Sequence, residues 1–260
     1  MQGPPLSVLA SFYRGGTSRG LFLSPRTLAT FHPRTRDAIL CVAMGSPDPD
    51  GRQIGGLGGG LSSLSKVAIV GPSDPELASR LRRMGAGWEL PGVSWADDAN
   101  RAAEKASGWD VVYRFGQVPV TGPRTVDWSS TCGNLVAAVA HYAIEHAGAI
   151  SQDRLRRHYD EVGPTASDQH HAFTFPVRIL AADSGKRILA RVPIAVADRP
   201  GSIEGPLFYP ARSGDAVIAG VPGSAAEILI ESPLESSVLP SGNALDKVKL
   251  DGGEEVSLPF

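Results

Sequence analysis

The chain has 260 residues, 42% hydrophobic and 20% charged, with 25 Lys and Arg against 27 Asp and Glu for a formal net charge of -2. That balance fits a globular protein with a sizeable core and leaves no basic stripe for nucleic acid. No apolar run approaches the roughly 18 residues a membrane span needs, and two cysteines, Cys41 and Cys132, cannot form a disulfide framework, so a cytoplasmic, reducing setting is expected.

Taken in chain order, the N-terminal MQGPPLSVLASFYRGG lacks the basic and long apolar regions of a secretory signal. Short β-prone runs stopped by Gly or Pro follow at 6–16, 20–24 and 65–71, and again at 110–120, 173–181, 186–197 and 226–232. The Asp-Ser-Gly within 181–188 reads as a hairpin joining two of them. Helices are expected over 25–31 and 33–44, each opening with Pro in its first turn. The clearest helix is 132–147, with Ser130 or Thr131 as cap and Gly148 as stop. Its apolar residues wrap most of the way round, from Leu135 to Ile144, so other structure must enclose it. Many short strands about one enclosed helix predict an α+β fold with a curved, barrel-like sheet. Two polar stretches, 72–108 and 151–171, read as insertions or linkers, and GVPGS (220–224) and LPSGN (239–243) as turns.

Three stretches could carry chemistry. In STCGN, Cys132 stands where unpaired N–H groups and the helix dipole favour a thiolate, although a small buried hydrophobe fits the position equally well. Gly133 and Asn134 would add donors able to hold a carboxylate. Cys41 lies inside an apolar helical run and reads as core. The second stretch pairs GGLGGG (55–60), which permits close backbone approach, with LSSLSK, which presents Ser62, Ser63, Ser65 and Lys66 at a strand start. It is no P-loop, since Ser65 and Val67 flank the lysine, but the donor cluster suits an acidic substrate or an acid/base lysine. The third, YRGGTSRG (13–20), reads as a glycine-rich hairpin. No zinc spacing and no G-x-S-x-G elbow appear, and His170–His171 reads as a solvated pair.

Taken together, RGGTSRG, MGSPD…QIGGLGGGLSSLSKVAIV, STCGN, SGKRILARVPI and GVPGS…LPSGN resemble the PrpF family in order and content. The resemblance implies a diaminopimelate epimerase-like fold, in which two similar domains each wrap a curved sheet round a central helix. It also implies cofactor-independent isomerisation of small unsaturated di- and tricarboxylic acids by a 1,3-proton shift. Carried over, Cys132 and Lys66 are the acid/base pair, while Thr17, Ser18, Ser63, Ser65, Gly133 and Asn134 hold substrate carboxylates. The expected partner is a small polycarboxylate, with neither nucleic acid, membrane nor metal, and a homodimer is left open. Arg19 stands where the family usually has Lys, PGSA (222–225) where many members have PGTG, and 72–108 exceeds the usual link. Because family members continue past EEVSLPF, residues 1–230 are read as a first domain and 231–260 as the start of a second. A non-catalytic remnant that binds small acids or acts by association is the alternative.

Overall fold

The computed structural model describes residues 7–29, 31–72, 109–147, 149–164, 171–182, 187–197, 207–232, 245–249 and 255–259. The expected insertion 72–108 therefore falls outside the described residues except at Pro72, as do the 239–243 turn and the 183–186 hairpin tip.

Strands β1 (Ser11–Gly15) and β2 (Ser18–Leu23) form the expected antiparallel hairpin, turning at Gly16 with φ 54°. β2 then runs parallel to β3 (Lys66–Pro72), and β3 antiparallel to β4 (Val111–Gln117). β4 lies parallel to β5 (Phe173–Ala181), which pairs antiparallel with β6 (Arg187–Ala197). Beyond β6 come β7 (Leu207–Pro210) and β10 (Leu229–Glu231), both antiparallel to it, completing a mixed eight-stranded sheet. β8 (Ala216–Ile218) and β9 (Val221–Ala225) make a separate hairpin. The GVPGS piece is thus mostly strand, its turn lying at Ala219 and Gly220, with Gly220 at φ 78°. A further two-stranded ribbon joins β11 (Leu245–Lys249) to β12 (Glu255–Pro259).

Period-two alternation sorts the sheet's residues onto two faces. Phe22 of β2, Ala68 and Val70 of β3, and Val111, Tyr113 and Phe115 of β4 join one buried cluster, together with helix α3 (Gly133–Glu145). Leu21, Leu23, Val67 and Ile69, their neighbours along β2 and β3, join a second cluster on the opposite face. There they pack under α1 (Pro25–Leu28) and α2 (Pro33–Met44), through Leu28, Leu40, Cys41 and Met44.

α3 packs against β1, β2 and β3 and also against β5, β6 and β7. One straight helix can touch strands so far apart in the sheet order only because the sheet curls around it. The fold is accordingly α+β, a curved half-barrel about a central helix, as the apolar wrap of α3 predicts. Leu135, Val136 and Val139 are essentially inaccessible to solvent, each stabilising by about 1.5–3 kcal/mol through burial.

The polar 151–171 stretch contains α4 (Gln152–Val162), capped by Ser151, whose hydroxyl accepts from the Arg154 N–H. Leu155 is its one buried residue, and Gln152 bonds both the N–H and the carbonyl of Phe208 at 2.8 Å. Arg154 also reaches the buried Asp110 carboxylate at 2.9 Å, where Arg178 makes a second contact at 2.7 Å. Among the described residues no helix is long and apolar enough to cross a membrane.

Candidate functional site

The β1–β2 turn meets the start of α3, and the contact is tight. A Cβ built on Gly15 would lie 2.2 Å from the Asn134 carbonyl oxygen, so only glycine lets this strand end approach the helix. Asn134 Nδ2 donates to Thr17 Oγ1 at 3.1 Å, fastening the turn to the helix from its exposed side.

Cys132 is the N-cap of α3, in extended conformation at φ -126° and ψ 105°, which corrects the expectation of a cap at Ser130 or Thr131. The correction has a simple cause: the backbone turns helical only at Gly133, so the cysteine is the last extended residue. No cap hydrogen bond comes from its side chain, which leaves the thiol free of that duty. The Sγ lies 3.8 Å from the hydroxyl of Ser18, a residue only 2% exposed, and Tyr113 Oη approaches the Cys132 carbonyl at 3.5 Å. Gly133 is helical and faces open space, so its contribution is an uncovered first helical turn and not a tight bend. The helix ends at Glu145 with His146 as C-cap, while Gly148 lies outside the described residues.

Lys66 opens β3 opposite Gly20 of β2 and Gln117 of β4. It shares the parity of Ala68 and Val70, and so the sheet face that α3 covers. Its Nζ donates to Gln117 Oε1 at 2.8 Å and sits 4.9 Å from the centre of the Phe115 ring. Ser18, two residues before Gly20, shares this face. Alternation along three strands therefore places Ser18, Lys66 and Gln117 on the side of the sheet whose helix carries Cys132 at its N-terminus.

The two loop serines differ in their surroundings. Ser65 is fully buried on the opposite parity and its hydroxyl donates to Gln53 Oε1. Ser63 is half-buried, its carbonyl accepting from the Arg19 N–H at 3.0 Å. Cys41 is inaccessible in α2, and burial, reinforced by Asp37, pushes its thiol up to about 11.

The glycine-rich loop does approach something closely, but its target is α2. Leu57 and Gly58 donate to the carbonyls of Ala43 and Met44 at 2.9 and 3.1 Å, satisfying two that the helix end leaves open. A Cβ on Gly56 would come within 2.1 Å of the Gly45 nitrogen. Asp48 braces the same loop by accepting from the N–H groups of Asp50, Arg52 and Gln53. Those bonds, that of Asp50 foremost, hold its carboxyl below the usual range.

Two glutamines escape a motif-based reading. Gln117 had a visible signal, since it continues the buried alternation Val111, Tyr113, Phe115 with a polar residue. Gln53 had none, for its left-handed φ of 52° and its bonds to Gly60 and Ser65 arise only in the folded loop.

Against known proteins, the family described as PrpF protein matches residues 6–78 and 100–258. A 2-methyl-aconitate isomerase of Shewanella oneidensis is 33% identical, covering 96% of this chain and 51% of that relative. A 4-oxalomesaconate tautomerase of Pseudomonas putida is 32% identical over 91% of this chain and 49% of its own length. The crystal structure of a methylitaconate-delta-isomerase superposes with a TM-score of 0.58 at 26% identity, covering 96% of this chain and 49% of that one. The chain thus spans about half the length of the relatives it matches.

Proposed function

The chain belongs to the PrpF family, and from that premise we propose that it serves a cofactor-independent isomerase or tautomerase acting on small unsaturated di- or tricarboxylic acids. The relatives' names carry the substrate class: 2-methyl-aconitate, 4-oxalomesaconate and 3-methylitaconate. All three are acids in which a double bond can migrate by moving one proton across three carbons.

In this reading one of Cys132 and Lys66 removes a proton from the carbon next to a carboxylate or carbonyl. The electron pair spreads over the allylic system as an enolate, and the other group returns a proton at the far carbon. The acid keeps its formula; the group that took the proton releases it to solvent, and the group that gave one takes one back. N–H donors at the start of α3 suit the enolate and carboxylate charge, since they are oriented before the charge develops. Thr17, Ser18, Gly133 and Asn134 gather at that helix start and are assigned to carboxylate binding. Ser63 joins them through the loop that precedes Lys66. Ser65, whose hydroxyl is spent on Gln53, supports that loop from beneath.

The observation that carries the proposal is the shared sheet face: Ser18 and Lys66 lie on the side covered by α3, and the N-cap of α3 is Cys132. Proton NMR in D2O tests it. Methylaconitate, oxalomesaconate and methylitaconate are each incubated with the protein and with Cys132→Ser. Deuterium should enter the allylic positions of one acid with the parent chain alone. Failure of all three acids to exchange faster than with the variant overturns the reading.

A further inference from the structure

Gln117 touches Lys66 and three backbone carbonyls at once. Its Nε2 donates to Ser65 O at 2.9 Å and Ser62 O at 3.1 Å, with Val118 O 3.4 Å from the same nitrogen, and its Oε1 accepts from Lys66 Nζ at 2.8 Å. The amide cannot be turned round, because a flipped group would set its oxygen against those carbonyls and its NH2 against an ammonium. The backbone leading into β3 therefore dictates which end of the amide faces the lysine. On the far side of the same segment Gln53 accepts from the Ser65 hydroxyl and the Gly60 N–H, so residues 62–66 are gripped from both faces.

The partner chosen for Lys66 is uncharged. Among the described residues no carboxylate makes an ion pair with it, and the Phe115 ring centre lies 4.9 Å from its Nζ. Lys66 is only 8% exposed, and a side chain so enclosed needs a hydrogen-bond partner to hold one rotamer. An amide oxygen supplies that hold without neutralising the ammonium, as a carboxylate would. The charge stays available to an incoming acid, and the amine can still exchange its proton.

We propose that Gln117 is the positioning residue for Lys66, fixing its Nζ with a neutral acceptor so that the lysine remains both a cation for the substrate acid and a proton carrier. This inference rests on the acid/base assignment of Lys66 proposed above.

Two variants and a readout independent of turnover test it. In protein labelled with 15N-lysine, the Lys66 Nζ proton exchange rate is measured by NMR for the parent chain, Gln117→Leu and Gln117→Glu, with Lys66→Met identifying the resonance. Gln117→Leu should speed that exchange several-fold and lower kcat by at least about tenfold while KM changes less than about threefold, as expected for a displaced reacting group. Gln117→Glu places a carboxylate beside Nζ, favours the ammonium, and should move the pH profile of kcat upward by about one unit. Unchanged Lys66 exchange in Gln117→Leu overturns the inference, as does an unmoved profile in Gln117→Glu. If no acid is turned over but Lys66 exchange responds to Gln117, the positioning stands and it is the isomerase reading that fails.

Discussion

The two faces of the β1–β4 sheet each carry a cysteine on a helix, and the two thiols meet opposite conditions. On the α2 face Cys41 sits mid-helix among Leu40, Met44 and Ile69, sealed from water, with its thiol pushed up to about 11. On the α3 face Cys132 is half-exposed at a helix start, against a serine hydroxyl and a turn fastened by Asn134. The residue type is the same and the reactivity is set by position along a helix and by access to solvent. One face encloses its thiol completely; the other leaves its thiol within reach of solvent.

The largest test of this contrast exchanges the sulfur on each side. Cys132→Ser should abolish measurable deuterium exchange into the substrate acid while shifting the melting temperature little, whereas Cys41→Ser should leave the exchange rate within about twofold. Equal losses from the two substitutions would erase the distinction. Iodoacetamide offers a second comparison without substrate. At pH 8 only about one in a thousand Cys41 thiols is ionised in a group titrating near 11, so mass spectrometry should find Cys132 alkylated first.

Gly15→Ala probes the join between the strand end and α3. The added methyl would fall 2.2 Å from the Asn134 carbonyl, so the turn must part from the helix at a cost of about 1–3 kcal/mol, read by chemical denaturation. The same variant should reduce activity, because Thr17 and Ser18 move with the turn. Cys41→Ala on the other face removes only a sulfur from a packed core and should cost about 1 kcal/mol with no effect on exchange.

The smallest effect concerns His141, farther along α3. Burial lowers its pKa from 6.5, Glu145 works the other way, and Arg212 adds to the lowering. Its Nε2 has no hydrogen-bond partner among the described residues. Because folding lowers its pKa, its contribution to stability is full above pH 6.5 and falls as the unfolded chain takes up a proton below it. Thermal melts at about pH 7.5 and about pH 5.5 should show a loss on acidification that shrinks in His141→Gln.

Much of this was legible in the chain. The apolar wrap from Leu135 to Ile144 announced an enclosed helix, and the structure curls its sheet round that helix. The β-prone runs at 173–181 and 186–197 emerge as β5 and β6 nearly to the residue. The short strands β7 to β9 were harder, since pieces of three to five residues carry little periodicity, and VPGS reads as a turn until it finds β8 as partner. Ser65 and Ser63 look alike in LSSLSK. Only the folded loop shows that the Ser65 hydroxyl is buried against Gln53, whereas Ser63 stays partly accessible.

By itself the sequence determined the local facts: where strands begin, that α3 must be covered, and that a cysteine precedes it. Those follow from the spacing of apolar residues and the backbone limits of Gly and Pro, which act within a few residues. The tertiary structure alone decided that GGLGGG closes the end of α2, that β2 runs parallel to β3, and that Lys66 lies against Gln117 on the face α3 covers. Such choices join residues far apart in the chain; Ser18 and Cys132 are separated by 114 positions. They follow from packing two apolar faces of one sheet at once, and no window of neighbouring residues contains that constraint.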